Sequence, residues 1–207
     1  MFDAIIFDLD YTLYDESSYL EKSIDSLNII KKKIVVEYKF RINSKNIIKD
    51  ILKKYNCYNE KNSSIIFNNL KKNKVQLKIY KGFIPLFKKL KKSNIKIGIL
   101  TNGNSIIQKN KIKNLKLKKY FDLIIIAKEA GKEKPHKEAF SLILKKMGSD
   151  PKKSLFVGDN SKNDIVGAKS IGMKTLWINH LKINYNKANF MVNSPLETPK
   201  KILQLIK

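Results

Sequence analysis

AIIFDLDYTL, residues 4–13, is the stretch that decides the fold. Ala4, Ile5, Ile6 and Phe7 form a short, unbroken apolar run, the pattern of a strand covered on both faces in a parallel sheet. Two aspartates, Asp8 and Asp10, follow at the point where the chain leaves that strand. Four further apolar runs downstream have the same brevity: residues 95–100, 123–126, 155–157 and 175–178. Segments of helical period separate them: Leu86, Phe87 and Leu90 with lysines opposite, then residues 106–115, 140–147 and 165–171. Strands alternating with helices predict an α/β fold, a doubly wound, Rossmann-like and mostly parallel five-stranded sheet with helices on both faces.

The stretch from Asp15 to Ile79 breaks that alternation, because little in it reads as strand. Ser18 and Glu21 fit a capping box, and Leu20, Ile24, Leu27 and Ile34 recur at roughly helical spacing. Ile47, Ile48, Ile51, Leu52 and Tyr55 suggest a second helix, and Ile65, Ile66, Phe67 and Leu70 a third. Such apolar stripes argue against a long structureless loop. The predicted organisation is a core of residues 1–14 and 80–207 and an inserted helical unit of residues 15–79.

Composition narrows the class. A chain of 207 residues supports a sizeable core with a small accessory unit. Cys57 is the one cysteine, so no disulfide forms within the chain, and a reducing cytoplasm is the expected setting. Residues 1–9 carry Asp3 and Asp8 and no basic start, so no secretory signal is expected, and no apolar run approaches a membrane span. The formal charge of +25 suggests a nucleic-acid partner, but it is almost all lysine, with Arg41 the only arginine. Phosphate and groove readers favour the guanidinium fork. The lysines also spread along the whole chain beside abundant Asn and Ile, a bias that an AT-rich genome produces by itself.

In open α/β sheets, ligands bind beyond the carboxyl ends of the strands. Asp8 and Asp10 follow the first run, Thr101, Asn102 and Gly103 the second, Lys134 the third after a short loop, and Asp159 and Asp164 the fourth. Four acids gathered there would raise one another's pKa unless a cation joined them. Magnesium suits such a site, because it takes few protein carboxylates, keeps waters and accepts the oxygens of a substrate phosphate. Asp8 can then attack phosphorus, Asp10 can protonate the leaving oxygen and later deprotonate water, and Thr101 and Lys134 can bind the transferring oxygens. Each fragment alone is better explained as a turn, a helix cap or a solvated lysine; it is their joint placement at one sheet edge that favours chemistry.

The residues 8–13, DLDYTL, Thr101 within ILTNG, Lys134 within GKEKP, and GDNSKND of residues 158–164 stand in this order, which resembles the four motifs of the haloacid dehalogenase-like hydrolases. The resemblance covers the chain to about Asn179. It implies Asp8 as nucleophile and metal ligand, Asp10 as general acid and base whose backbone carbonyl also meets the metal, and Thr101, Asn102, Gly103 and Lys134 as phosphate binders. It also implies Asp159 as a magnesium ligand with Asp164 in support, and the insertion as a helical type-one cap that closes over the site. Dehalogenases of the family lack the second motif I aspartate, so Asp10 argues for a phosphatase acting on a small phosphorylated metabolite. The Thr101 and Trp177 neighbourhoods resemble members acting on nucleoside monophosphates or on acylneuraminate-type sugar phosphates. The alternatives are a phosphomutase with the same motifs and, from another class, a basic nucleic-acid-binding protein. A monomer or homodimer is expected. His136 and His180 read as surface histidines, Trp177 as core, and Tyr11 as a ring touching cap or substrate.

Overall fold

The structure is a computed structural model that describes residues 2–24, 31–40, 47–184 and 187–207. Its strands are β1 (Ala4–Phe7), β2 (Lys96–Thr101), β3 (Leu123–Ile126), β4 (Ser154–Gly158), β5 (Lys174–Ile178) and β6 (Phe190–Val192). Its helices are α1 (Ser17–Ser23), α2 (Lys31–Phe40), α3 (Ile47–Lys54), α4 (Glu60–Lys72), α5 (Phe83–Lys92), α6 (Ser105–Asn114), α7 (Lys137–Met147), α8 (Gly167–Lys169) and α9 (Thr198–Leu205). The strands form one sheet in the order β3-β2-β1-β4-β5-β6, and every adjacent pair is parallel. The order reverses between β1 and β4, which makes that edge the topological switch point where α/β sheets place their ligands.

Six strands stand where sequence patterning predicts five. β6 has three residues, one of them exposed and one half-buried, so it lacks the continuous apolar run that reveals the others. It is recruited by pairing with β5 from Leu176 with Phe190 to Ile178 with Val192.

β1 is buried throughout, and alternate side chains serve opposite layers. Phe7 meets Phe83 and Phe87 of α5 and also Phe121 in edge-on ring contacts with centroids 5.7–6.1 Å apart. On the other face, Ala4 and Ile6 pack with Ala139, Phe140 and Ile143 of α7. Each large apolar side chain so buried contributes about 1.5–3 kcal/mol. That two-sided cover explains why β1 is unbroken in apolar character and why its first polar residue marks the sheet edge.

The chain separates into two compact units, residues 1–15 with 78–207, and residues 16–77. Asp15, Lys78 and Ile79 thus fall with the sheet unit rather than with the insertion. Tyr14 bridges Ile79, and the Tyr80 N–H donates to the Leu13 carbonyl at 2.9 Å, which ties the two chain crossings together. The second unit is helical. In it the Tyr19 hydroxyl donates to the Leu70 carbonyl at 2.6 Å, and Asn73 donates to the Tyr19 carbonyl at 2.7 Å and the Ser23 hydroxyl at 2.8 Å. These bonds join α1 to the end of α4. The capping box read at Ser18 does not form: α1 begins at Ser17 behind Glu16, which is already in helical conformation and makes no side-chain cap bond. Leu27, assigned to that helix, lies outside the described residues. The Cys57 thiol donates to the Tyr55 carbonyl at 3.2 Å and is half-buried. No helix among the described residues is long and apolar enough to cross a membrane.

Candidate active site

Asp8 leaves β1 with its N–H donating to the Val157 carbonyl at 2.8 Å, so its position is fixed by the β1–β4 ladder. The Lys134 ammonium donates to Asp8 Oδ1 at 2.6 Å and to Asp164 Oδ1 at 2.7 Å. All three side chains are buried. Asp8, Asp159 and Asp164 each offer a carboxylate oxygen, and these oxygens lie within 4.8 Å of one another. Three carboxylates against one ammonium leave two formal negative charges, which is the charge of one divalent cation. The donors are hard oxygens, which suit a cation of the magnesium or calcium type, so this cluster could hold a metal ion.

The electrostatics follow from burial. Burial works against the Lys134 ammonium, yet the charges of Asp164 and Asp8 and the hydrogen bonds to both outweigh it, and its pKa lies above the ordinary lysine value. Burial raises the Asp164 carboxyl above the usual range and the charge of Asp159 adds to this, while Lys134 and the Asn160 N–H pull the other way. Lys134 is therefore a firm cation, and Asp164 is an acid whose charge its surroundings tax.

Lys134 is held from behind. Asn102 accepts from the Lys134 N–H and donates to the Lys134 carbonyl, each at 2.8 Å. The Asn102 side chain thus engages the Lys134 backbone, and the neighbouring Gly103, at φ +108°, directs its N–H to Glu133 Oε1 at 3.2 Å. Lys134 precedes α7 by three residues, with His136 exposed at the N-cap position.

Asp10 sits in a different set of partners. Tyr14 donates to its Oδ1 at 2.6 Å and Lys111 to the same oxygen at 2.9 Å, while Gln108 donates to its Oδ2 at 2.9 Å. Gln108 also donates to Thr101 Oγ1 at 2.7 Å. Asp8 and Asp10, two residues apart, thus each meet a lysine of their own, Lys134 and Lys111. A protein-family model described as haloacid dehalogenase-like hydrolase matches residues 5–178.

The chain belongs to the haloacid dehalogenase-like hydrolases. Its relatives include the glyceraldehyde 3-phosphate phosphatase of Methanocaldococcus jannaschii, 32% identical over 198 residues, 86% of this chain and 85% of that protein. The glyceraldehyde 3-phosphate phosphatase of Pyrococcus abyssi is 41% identical over 85 residues, 41% of this chain but 36% of its own length. That match thus spans little more than a third of the relative. Among solved structures, a HAD phosphatase from Thermococcus onnurineus aligns with a TM-score of 0.66 at 26% identity, covering 97% of each chain.

In this haloacid dehalogenase-like hydrolase the structure brings Asp8, Lys134, Asp159 and Asp164 together and Thr101 next to Asp10 through Gln108. Sequence reading misses Tyr14, Gln108, Lys111 and His180. Gln108 and Lys111 share the buried face of α6 with Ile107 and Ile112. A polar pair on an otherwise apolar helical stripe is the signal that could have found them. His180 is not the surface residue its position past β5 suggests. Its side chain is 11% exposed, its Nε2 lies 3.3 Å from Asp159 Oδ2, and the Tyr11 ring stacks on it at 5.7 Å. Tyr11 is itself buried, at φ +56°. Trp177 is core, its Nε1 donating to the Asp159 carbonyl at 2.8 Å, so the indole fixes the loop that carries Asp159.

Gly158 shows how tightly the acid cluster is built. A methyl group on its Cα would stand 2.6 Å from Asp164 Cγ, and Asp164 is buried and held by Lys134 and the Asn160 N–H. Since that carboxylate cannot swing aside without losing both bonds, Gly158→Ala is expected to cost about 1–3 kcal/mol by overpacking. Thermal melting should show a drop of several degrees, and an unchanged midpoint would mean that Asp164 yields freely.

Proposed function

We propose that this protein is a magnesium-dependent phosphomonoester hydrolase of small phosphorylated metabolites, working through an aspartyl-phosphate on Asp8. The observation that carries this reading is the buried Lys134 ammonium shared between Asp8 and Asp164 beside Asp159 at the β1–β4 switch point. Family membership and the phosphatase names of the relatives support it.

Asp8 supplies the attacking carboxylate oxygen. As its bond to phosphorus forms and the ester P–O bond breaks, the proton of Asp10 passes to the leaving oxygen, giving an alcohol, an acyl phosphate and an Asp10 carboxylate. Water then attacks phosphorus, its proton returns to Asp10, and inorganic phosphate leaves as Asp8 is regenerated. Thr101, Lys134 and backbone N–H groups of Asn102 and Gly103 bind the transferring oxygens and offset their charge. Asp8, the Asp10 backbone carbonyl and Asp159 would hold the magnesium ion with Asp164 in support; when bound, it supplies positive charge to the phosphoryl oxygens.

We assign substrate selection to the helical unit of residues 16–77, and a reducing cytoplasm as the setting, in keeping with the single free Cys57. The test is a panel of triose, pentose and acylneuraminate phosphates, nucleoside monophosphates and bisphosphates assayed with magnesium for phosphate release. Release from one class supports hydrolysis and names the substrate; phosphoryl transfer between positions of a sugar, without release, would make the protein a mutase instead.

A further inference from the structure

Gln108 lies outside every motif discussed above, yet its amide nitrogen contacts two groups of the proposed machinery at once: Asp10 Oδ2 at 2.9 Å and Thr101 Oγ1 at 2.7 Å. The amide nitrogen, not its oxygen, faces both groups. With one of its two protons on Asp10, the other goes to Thr101, whose oxygen is then an acceptor towards α6. The Thr101 hydroxyl proton is thereby turned away from Gln108, and in this structure it reaches the Asn102 carbonyl at a long 3.3 Å. Such a weak intramolecular bond is readily exchanged for a phosphoryl oxygen. Gln108 is buried, and it presents this amide from a helix whose N-terminus is capped by Asn104, which accepts from the Ile106 N–H at 3.1 Å.

We infer that Gln108 is a positioning residue that fixes the spacing of Asp10 and Thr101 and sets Thr101 as a donor to the substrate. On the other oxygen of Asp10, Tyr14 and Lys111 complete the cradle, so that the carboxyl is held from three directions. The inference rests on the phosphatase reading, since it gives Gln108 a purpose only if Asp10 protonates a leaving group. In that case loss of the amide misplaces the acid and is felt most where the departing oxygen needs a proton.

Phenyl phosphate and p-nitrophenyl phosphate, similar in shape around the phosphate, separate these effects. Phenolate is the more basic leaving group and needs protonation, whereas p-nitrophenolate departs as a stable anion. In Gln108→Met, which keeps the length and packing of the side chain, kcat/KM for phenyl phosphate is expected to fall roughly tenfold to a hundredfold further than for p-nitrophenyl phosphate, part of the roughly 10²–10⁴-fold that a general acid contributes, since Asp10 itself remains. Stopped-flow release of p-nitrophenolate should acquire a first-turnover burst, because the water-activating step, which needs Asp10 with either ester, becomes limiting. Gln108→Leu removes both donors without adding a charge, and it should show the same selectivity if Gln108→Met fails to fold by circular dichroism. An equal fall for both esters, or none, overturns the role of Gln108 while leaving the phosphatase reading intact. A wild-type protein that hydrolyses neither aryl ester nor any member of the metabolite panel sinks both.

Discussion

Asp8→Asn is expected to lower turnover by at least about 10⁴-fold, the scale on which loss of a covalent nucleophile is felt in other hydrolases. The amide is a poor nucleophile, and nothing else in the cluster can take its place: Asp159 and Asp164 are carried by a different loop, and Asp164 is anchored by Lys134 and the Asn160 N–H. Stability should change little, because two effects oppose each other. Lys134 loses one of its two carboxylate partners, while Asp159 and Asp164 lose a like charge within 4.8 Å. Circular dichroism should therefore be unaltered and the melting midpoint should move by only a few degrees. Wild-type protein quenched in cold acid during turnover should carry one hydroxylamine-labile phosphate, and Asp8→Asn none. Near-native turnover in the variant would exclude the covalent mechanism.

Removing divalent metal is the second change with a complete expected effect. The acid cluster carries two more negative charges than Lys134 can balance, and a substrate phosphate brings further negative charge to the same place. Excess chelator should abolish phosphate release, and magnesium should restore it. The same ion should stabilise the fold independently of activity. At a hundred times its Kd a ligand adds about 2.7 kcal/mol, which for a chain of this size is roughly 5–10 °C in the melting midpoint. Asp159→Asn should blunt that shift by weakening the donor set. Full activity in excess chelator, or a midpoint indifferent to magnesium, would rule out the proposed cation.

How far the chain could be read without coordinates depends on the distance over which each signal acts. β1 is legible because both of its faces are covered, by Phe83 and Phe87 on one side and Phe140 and Ile143 on the other, which leaves no polar position in Ala4–Phe7. Asp8 and Asp10 are legible for the same reason, as the first polar residues beyond a buried run. Lys134 and Asp159 follow once the ends of the other strands are found. β6 is not legible, since three residues at a sheet edge carry too little pattern, and His180 is misjudged because its shelter comes from Tyr11, far away in sequence.

The amino-acid sequence by itself determined the alternation of strands and helices, the place of the helical insertion and the acids and lysine at the strand ends, because these depend on local periodicity and on chain order. Tertiary structure alone decided which partner each acid keeps: Asp8 with Lys134, Asp10 with Tyr14, Gln108 and Lys111, and Asp159 with His180. Such pairings join residues up to 126 positions apart, and hydrogen bonds a few ångströms long have no signature in sequence until the parallel sheet has brought their ends to one edge.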